Sequence, residues 1–203
     1  MARAVNIGQL LTMRFPRIPL EGRWRELLGQ PELRGSILIW GDSAQGKTSF
    51  ALQLAKELSK YESVLYDSLE EGISESIRAA CVREGMVEVG SRVLLLDNEP
   101  IAELTERLAR PKSRNVVIVD SLQYTGMTFE AYKELLERFP KKLFVFVSHA
   151  DGREPAGRIA TQVKFNANIK IRVSGFTAYA ISRYGGGMPY TISDEMAARI
   201  NPE

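Results

Sequence analysis

The sequence predicts an α/β domain with a mostly parallel central sheet, helices on both faces, and antiparallel strands added at one edge near the C-terminus. Three observations predict it. Short apolar runs alternate with stretches of helical periodicity, and each run is nearly continuous in apolar residues, as in strands buried on both faces. The first run leads directly into a glycine-containing loop and then a helix. Beyond Ala150 the alternation gives way to short strand-like runs separated by glycines.

Taken in order, residues 1–34 read as an N-terminal arm or lead-in, with Pro16, Pro19 and Pro31 breaking any long helix and Trp24, Leu27 and Leu28 at the spacing of a short one. Residues 35–203 read as the domain proper. Ser36–Trp40 is the first strand candidate and Thr48–Leu58 the first helix. Val64–Tyr66 is the second strand, followed by a helix over Ser74–Arg83. Arg92–Leu96 and Asn115–Asp120 are the third and fourth strands, followed by helices near Ile101–Leu108 and Glu130–Arg138. Leu143–Ser148 is the fifth strand. Ile169–Val173, Thr177–Ser182 and Tyr190–Ile192 are expected as the antiparallel edge additions.

Composition narrows the function classes. A chain of 203 residues, 44% hydrophobic and 26% charged, has material for one substantial core and little for a second domain. The net charge of +2 neither demands nor excludes a nucleic-acid partner. The single cysteine, Cys81, excludes an intramolecular disulfide and offers no metal cluster, so a reducing compartment is expected. No segment approaches the roughly 20 apolar residues that span a bilayer, and the N-terminus lacks a signal-peptide pattern. The protein reads as cytoplasmic, with no membrane partner.

The loop after the first strand carries the chemistry. Gly41-Asp42-Ser43-Ala44-Gln45-Gly46-Lys47-Thr48 matches G-x-x-x-x-G-K-[ST], with a strand before it and a helix after it. Glycines let the backbone curl until its N–H groups point at a phosphate, and the helix N-terminus at Thr48 and Ser49 adds partial positive charge. In such a loop Lys47 reaches the β- and γ-phosphates of ATP and the Thr48 hydroxyl ligates Mg²⁺.

Strand ends supply the acids, because ligands of an open α/β sheet lie at the carboxyl ends of its strands. Asp120 closes Val116–Val119 and is the candidate second magnesium ligand. Asp67-Ser68-Leu69-Glu70-Glu71 follows the second strand. Spacing alone leaves two readings there: a base for the attacking water, or acids favoured at a helix N-terminus. His149, the sole histidine, follows the fifth strand and is the candidate sensing or relay residue.

These segments together resemble the RecA-like ATPase family, most of all RadA-type recombination ATPases and DnaB-type helicases, with KaiC-like proteins further off. The resemblance covers about Gly35 to Ile192. It implies a RecA-like P-loop NTPase fold, with 35–203 as the ATPase domain. It also implies ATP and Mg²⁺ as ligands, a general base at Glu70 with Glu71 beside it, and His149 as a polar sensor linking the γ-phosphate to a DNA-binding loop. Ile181-Ser-Arg183-Tyr-Gly185 is similar to the family's Lys-Asn-Arg-Phe-Gly motif, which implies that Arg183 reaches a neighbouring subunit's site in a ring or filament. Ile181 departs from the family lysine.

Between Arg153 and Tyr190 basic residues far outnumber acids and are interleaved with aromatics and glycines. Arg153, Arg158 and Lys164 are candidates for DNA contact, a reading the resemblance favours over a solvated basic edge. The function expected is an ATP-hydrolysing motor core acting on DNA in recombination or replication. A nucleotide-switched assembly module with little turnover is one alternative, and a P-loop small-molecule kinase is another.

Overall fold

The computed structural model describes residues 4–200. Its central strands are β1 (Gly35–Gly41), β2 (Val64–Ser68), β3 (Val93–Asp97), β4 (Val116–Asp120) and β5 (Leu143–Asp151). A two-residue strand, β6 (Glu154–Pro155), folds back on β5. Then come β7 (Ile169–Ser174), β8 (Thr177–Ser182) and β9 (Tyr190–Thr191). The sheet order is β3-β2-β4-β5-β1-β7-β8-β9. Every pairing from β3 to β7 is parallel, and β8 and β9 continue the sheet antiparallel.

The helices are α1 (Ile7–Thr12), α2 (Gly22–Leu28), α3 (Lys47–Leu58), α4 (Glu75–Arg83), α5 (Ile101–Ala109), α6 (Phe129–Arg138), α7 (Arg158–Asn166) and α8 (Asp194–Ile200). Side-chain alternation divides each strand between two cores. Ile37, Ile39, Val64, Tyr66, Ile118 and Val145 pack with Phe50 and Leu54 of α3 and Ile77 of α4. Leu38, Trp40, Leu65, Val117, Phe144 and Phe146 pack on the other face with residues of α5, α6 and α7. This two-sided burial is why the strands read as unbroken apolar runs.

Two features depart from the sequence reading. β7 pairs parallel with β1 and is not an antiparallel addition; only β8 and β9 are antiparallel. The reason is α7, a helix the sequence reading does not include, whose Ala160 and Val163 are buried on the sheet and whose length carries the chain back to start β7 alongside β1.

The N-terminal segment packs into the same core. Ile18, Leu20, Leu27 and Leu28 are buried in the first cluster, each burial contributing roughly 1.5–3 kcal/mol. Trp24 lies 5.6 Å from Phe50 and 4.6 Å from Tyr190, ring centre to ring centre. The C-terminal glycine loop clamps α2: Gly187 N donates to Leu27 O (2.9 Å) and Met188 N to Glu26 O (3.0 Å). Gly186 is required there, since a Cβ would stand 2.6 Å from Leu27 O. By contrast α1 buries none of its residues.

Candidate active site

The site forms at the carboxyl end of β1, where the chain leaves the middle of the sheet. Gly41 packs against the backbone of β7 so closely that a Cβ would fall 2.2 Å from Val173 O. Gly46 caps α3 at φ 98°, a conformation that favours glycine, and a Cβ there would strike the Phe176 ring at 2.8 Å. Lys47 lies across the loop, its Nζ donating to Asp42 O at 2.8 Å. The turn between β7 and β8 braces the loop from outside: Gly175 N donates to Gln45 Oε1 (2.6 Å) and Phe176 N to Gln45 O (3.2 Å).

The loop opens on a cavity of about 560 Å³ that brings together Ser43, Ala44, Gly46, Lys47, Thr48 and Ser49 with Glu70, Glu71 and Asp120. Burial lowers the pKa of Lys47, and the nearby carboxylates of Asp120, Glu70 and Asp42 oppose that shift. Asp120 ends β4 on the same face as α3. Burial raises its carboxyl to about 6, against the opposing effect of Tyr66, whose hydroxyl donates to Asp120 Oδ2 at 2.5 Å.

Glu70 and Glu71 both line the cavity but make different bonds. Glu70 N donates to Asp120 O (3.1 Å), holding the turn after β2 against β4, and Glu70 Oε2 lies 2.9 Å from His149 Nε2. Glu71 accepts from the Ser76 hydroxyl at the start of α4. Asp67 is not in the site. As the neighbour of Tyr66 it alternates to the other face, where it accepts from Glu99 N at 3.1 Å and burial raises its carboxyl to about 6.

Sequence reasoning missed several residues here. Tyr66 read only as core, and Arg83 lay unremarked in a helix. Arg83 lines the cavity and donates to Ser49 Oγ at 3.0 Å. Phe176 and Met196 complete the wall. Gln123 ties the strand ends together, donating to Ser148 Oγ (2.7 Å) and Ala156 O (3.0 Å) while accepting from His149 N (3.3 Å). The partners of Gln123 lie 25 to 33 residues away in sequence, and no local pattern announces them.

The basic candidates separate. Arg153 is exposed at the tip of the β5–β6 hairpin, its carbonyl accepting from Trp40 Nε1 (3.1 Å). Arg158 and Lys164 lie on α7, not on a flexible loop, because that segment buries an apolar stripe. Lys164 is engaged, paired with Glu154 and set 5.1 Å over the Trp40 ring. Arg183 follows β8, whose Ser182 pairs with Ile169, itself paired with Ile37 at the start of β1. Arg183, one residue further and donating to Asn168 O, therefore lies about 16 Å along the strands from Gly41, at the opposite end of the sheet.

The Thr48 hydroxyl and the Asp120 carboxylate are hard oxygen donors on one cavity wall and fit Mg²⁺, which takes few protein ligands alongside phosphate and water. Among the described residues no group of three or more His, Cys, Asp or Glu could cage a metal by itself.

A glycine loop turning from a central parallel strand into a helix, faced by acids from the ends of β2 and β4, is a P-loop arrangement within a fold of the RecA-like type. Solved structures bear this out. The flagellar accessory protein FlaH from Methanocaldococcus jannaschii superposes with a TM-score of 0.60 at 16% identity, over 89% of this chain and 96% of that one. A KaiC-like protein from Pyrococcus horikoshii gives 0.61 at 16% identity, over 87% and 94%. An isolated ATPase domain gives 0.57 at 15% identity, over 81% and 84%. At such identities the likeness establishes the fold. No family model and no curated protein matches the chain. No helix among the described residues is long and apolar enough to cross a membrane.

Proposed function

We propose that this chain binds ATP with Mg²⁺ and hydrolyses it, acting on DNA as a homo-oligomer. The observation that carries the reading is the Glu70 carboxylate in the same cavity as Lys47 and Asp120. In this reading the amides of 41–48 and the Lys47 ammonium hold the triphosphate, and Thr48 and Asp120 hold the metal, which supplies charge neutralisation at the β- and γ-oxygens. Glu70 orients the attacking water and takes its proton. His149, 2.9 Å from Glu70 Oε2, begins the segment that leads into the Arg153 hairpin, a direct route from the γ-phosphate region to a DNA-facing element.

Arg183 lies at the far end of its own sheet, so in this reading it serves only a neighbouring subunit's site. A second reading rests on Ile181, which is 73% exposed where the family carries lysine. With half of the trans-acting pair missing, nucleotide would drive assembly with little turnover.

The test is Glu70→Gln. It leaves ATP binding within a few-fold of wild type and lowers turnover by about 10²–10⁴. Normal turnover in that variant would transfer the role to Glu71, whereas slow turnover in the wild type with ATP-dependent assembly would favour the second reading.

A further inference from the structure

At the end of the sheet away from the ATP cavity, the residues just before β3, β2, β4 and β5 lie in one row: Arg92, Ser63, Asn115 and Lys142. With neighbouring strands about 4.8 Å apart, the row spans about 14 Å. Two clefts open along it and adjoin at Ser63. The larger, about 510 Å³, is lined by Lys112, Arg138, Lys141 and Lys142, with no acid in its wall. The second, about 420 Å³, is lined by Lys60, Arg92 and Arg114. Glu62 is its only acid, and that carboxylate already accepts from Asn115 Nδ2 at 2.9 Å.

In a chain with 27 basic and 25 acidic residues, such an excess is local, not a reflection of overall charge. Some of these side chains are also held in place. Lys142 is buried with no carboxylate partner, its Nζ donating to Arg114 O (2.8 Å) and Ser113 Oγ (2.9 Å). Arg114 is clamped by the carbonyls of Arg92 (3.1 Å) and Ser91 (3.0 Å). Lys112 and Lys141 are exposed, and among the described residues Lys60 alone of these cations is paired with an acid, Glu57. Burial lowers the pKa of Lys142, as for a cation short of counter-charge.

We propose that this groove binds the phosphodiester backbone of a single-stranded nucleic acid, at a surface separate from the ATP site and from the Arg153 hairpin. Several cations spaced along an extended cleft, some tethered and some free to reach outward, match successive phosphates of one strand. None of the exposed large hydrophobic residues lines either cleft, so the groove lacks the apolar contacts that would seat it in a lipid surface. The proposal requires no ATP turnover and does not rest on the hydrolytic reading.

The test is fluorescence anisotropy of labelled oligothymidylate and oligouridylate, about 20 nucleotides long, between about 50 and 200 mM salt. The full chain is compared with Lys112→Glu/Lys141→Glu, with Lys141→Gln, and with Arg153→Ala/Arg158→Ala. Wild type binds one or both strands. Lys112→Glu/Lys141→Glu weakens binding at least tenfold at low salt and reduces the slope of log K against log salt by about 1.4, two phosphates' worth. Lys141→Gln gives a smaller loss in the same direction, with an unchanged melting temperature. Unchanged affinity and slope in both lysine variants overturn the proposal, as does loss of all binding in the hairpin variant alone, which would assign the contact to the hairpin. Binding to phosphatidylserine vesicles without binding to either oligonucleotide overturns it in favour of a membrane surface.

Discussion

The hydroxyl of Tyr66 donates to a carboxylate whose pKa burial raises to about 6, and the bond opposes that rise. The hydrogen bond favours the charged form of Asp120, which is the form a magnesium ligand needs. Two consequences follow from the sign of the shift. Asp120 with its pKa at about 6 loses its negative charge as pH falls through that value, so magnesium-dependent ATP binding by the free protein weakens on the acid side of about 6. In Tyr66→Phe the pKa rises further and this acidic limb moves to higher pH, at a stability cost of about 1.5–3 kcal/mol for the lost bond to a charged group. Magnesium-nucleotide titrations from pH 5 to 8 on the two proteins check both points; an unmoved limb would show that another group titrates. The raised pKa also carries a stability sign. Folded Asp120 holds its proton where the unfolded carboxyl has lost it, so its contribution favours folding below the unfolded value near 3.8 and is lost as pH rises to about 6.

At the scale of elements, the loop 41–48 does not stand alone. Its outer wall is the turn between β7 and β8, joined to it through both the carbonyl and the side chain of Gln45. A loop whose amides must converge on a phosphate loses affinity when its frame loosens, even with every phosphate contact intact. Gln45→Ala is expected to weaken ATP binding about tenfold, with a loss of stability of about 0.5–1.5 kcal/mol, since one part-buried hydrogen bond is removed. Calorimetric titration with a nonhydrolysable ATP analogue and a melting curve separate the two effects. In sequence, Gln45 is simply one of the free positions of the phosphate-loop pattern. Its partner Gly175 is 130 residues away, beyond any local signal. The same distance hid the parallel pairing of β7. The short runs after Ala150 looked like edge strands, and the stripe of α7 is short, with only Ala160 and Val163 buried among its residues.

Across the whole molecule the sheet has two chemically different ends. The carboxyl ends of β1, β2, β4 and β5 face the phosphate-loop cavity, and the opposite end carries Arg183 and the basic groove. Arg183 cannot reach about 16 Å back along the strands to its own cavity. If neighbouring copies share sites, equal mixtures of Arg183→Ala and Glu70→Gln recover activity that neither variant has alone, because one junction in the assembly regains both groups. Recovery is measured as ATP turnover against mixing ratio, and a flat, inactive line would rule out a site shared between copies. Such a finger contributes about 10³–10⁵ in rate where it operates, so even partial recovery is readable.

What the sequence alone determined is local. The phosphate loop is eight consecutive residues between a strand and a helix, and Asp120 and Glu70 sit at or just beyond strand ends that hydrophobic runs reveal. A strand's period of two even separates Asp67 from Tyr66, once the face of either is known. The tertiary structure alone decided which face that is. It also decided that Lys164 is engaged with Glu154 and Trp40, that Gln45 and Gln123 are braces, and that the residues before four strands fall in one row, which brings Arg92 and Lys142 together with cations from other segments. The reason is physical: short-range patterns record the conformation of a segment, whereas sheet order and register bring together residues whose separation along the chain leaves no trace in either segment.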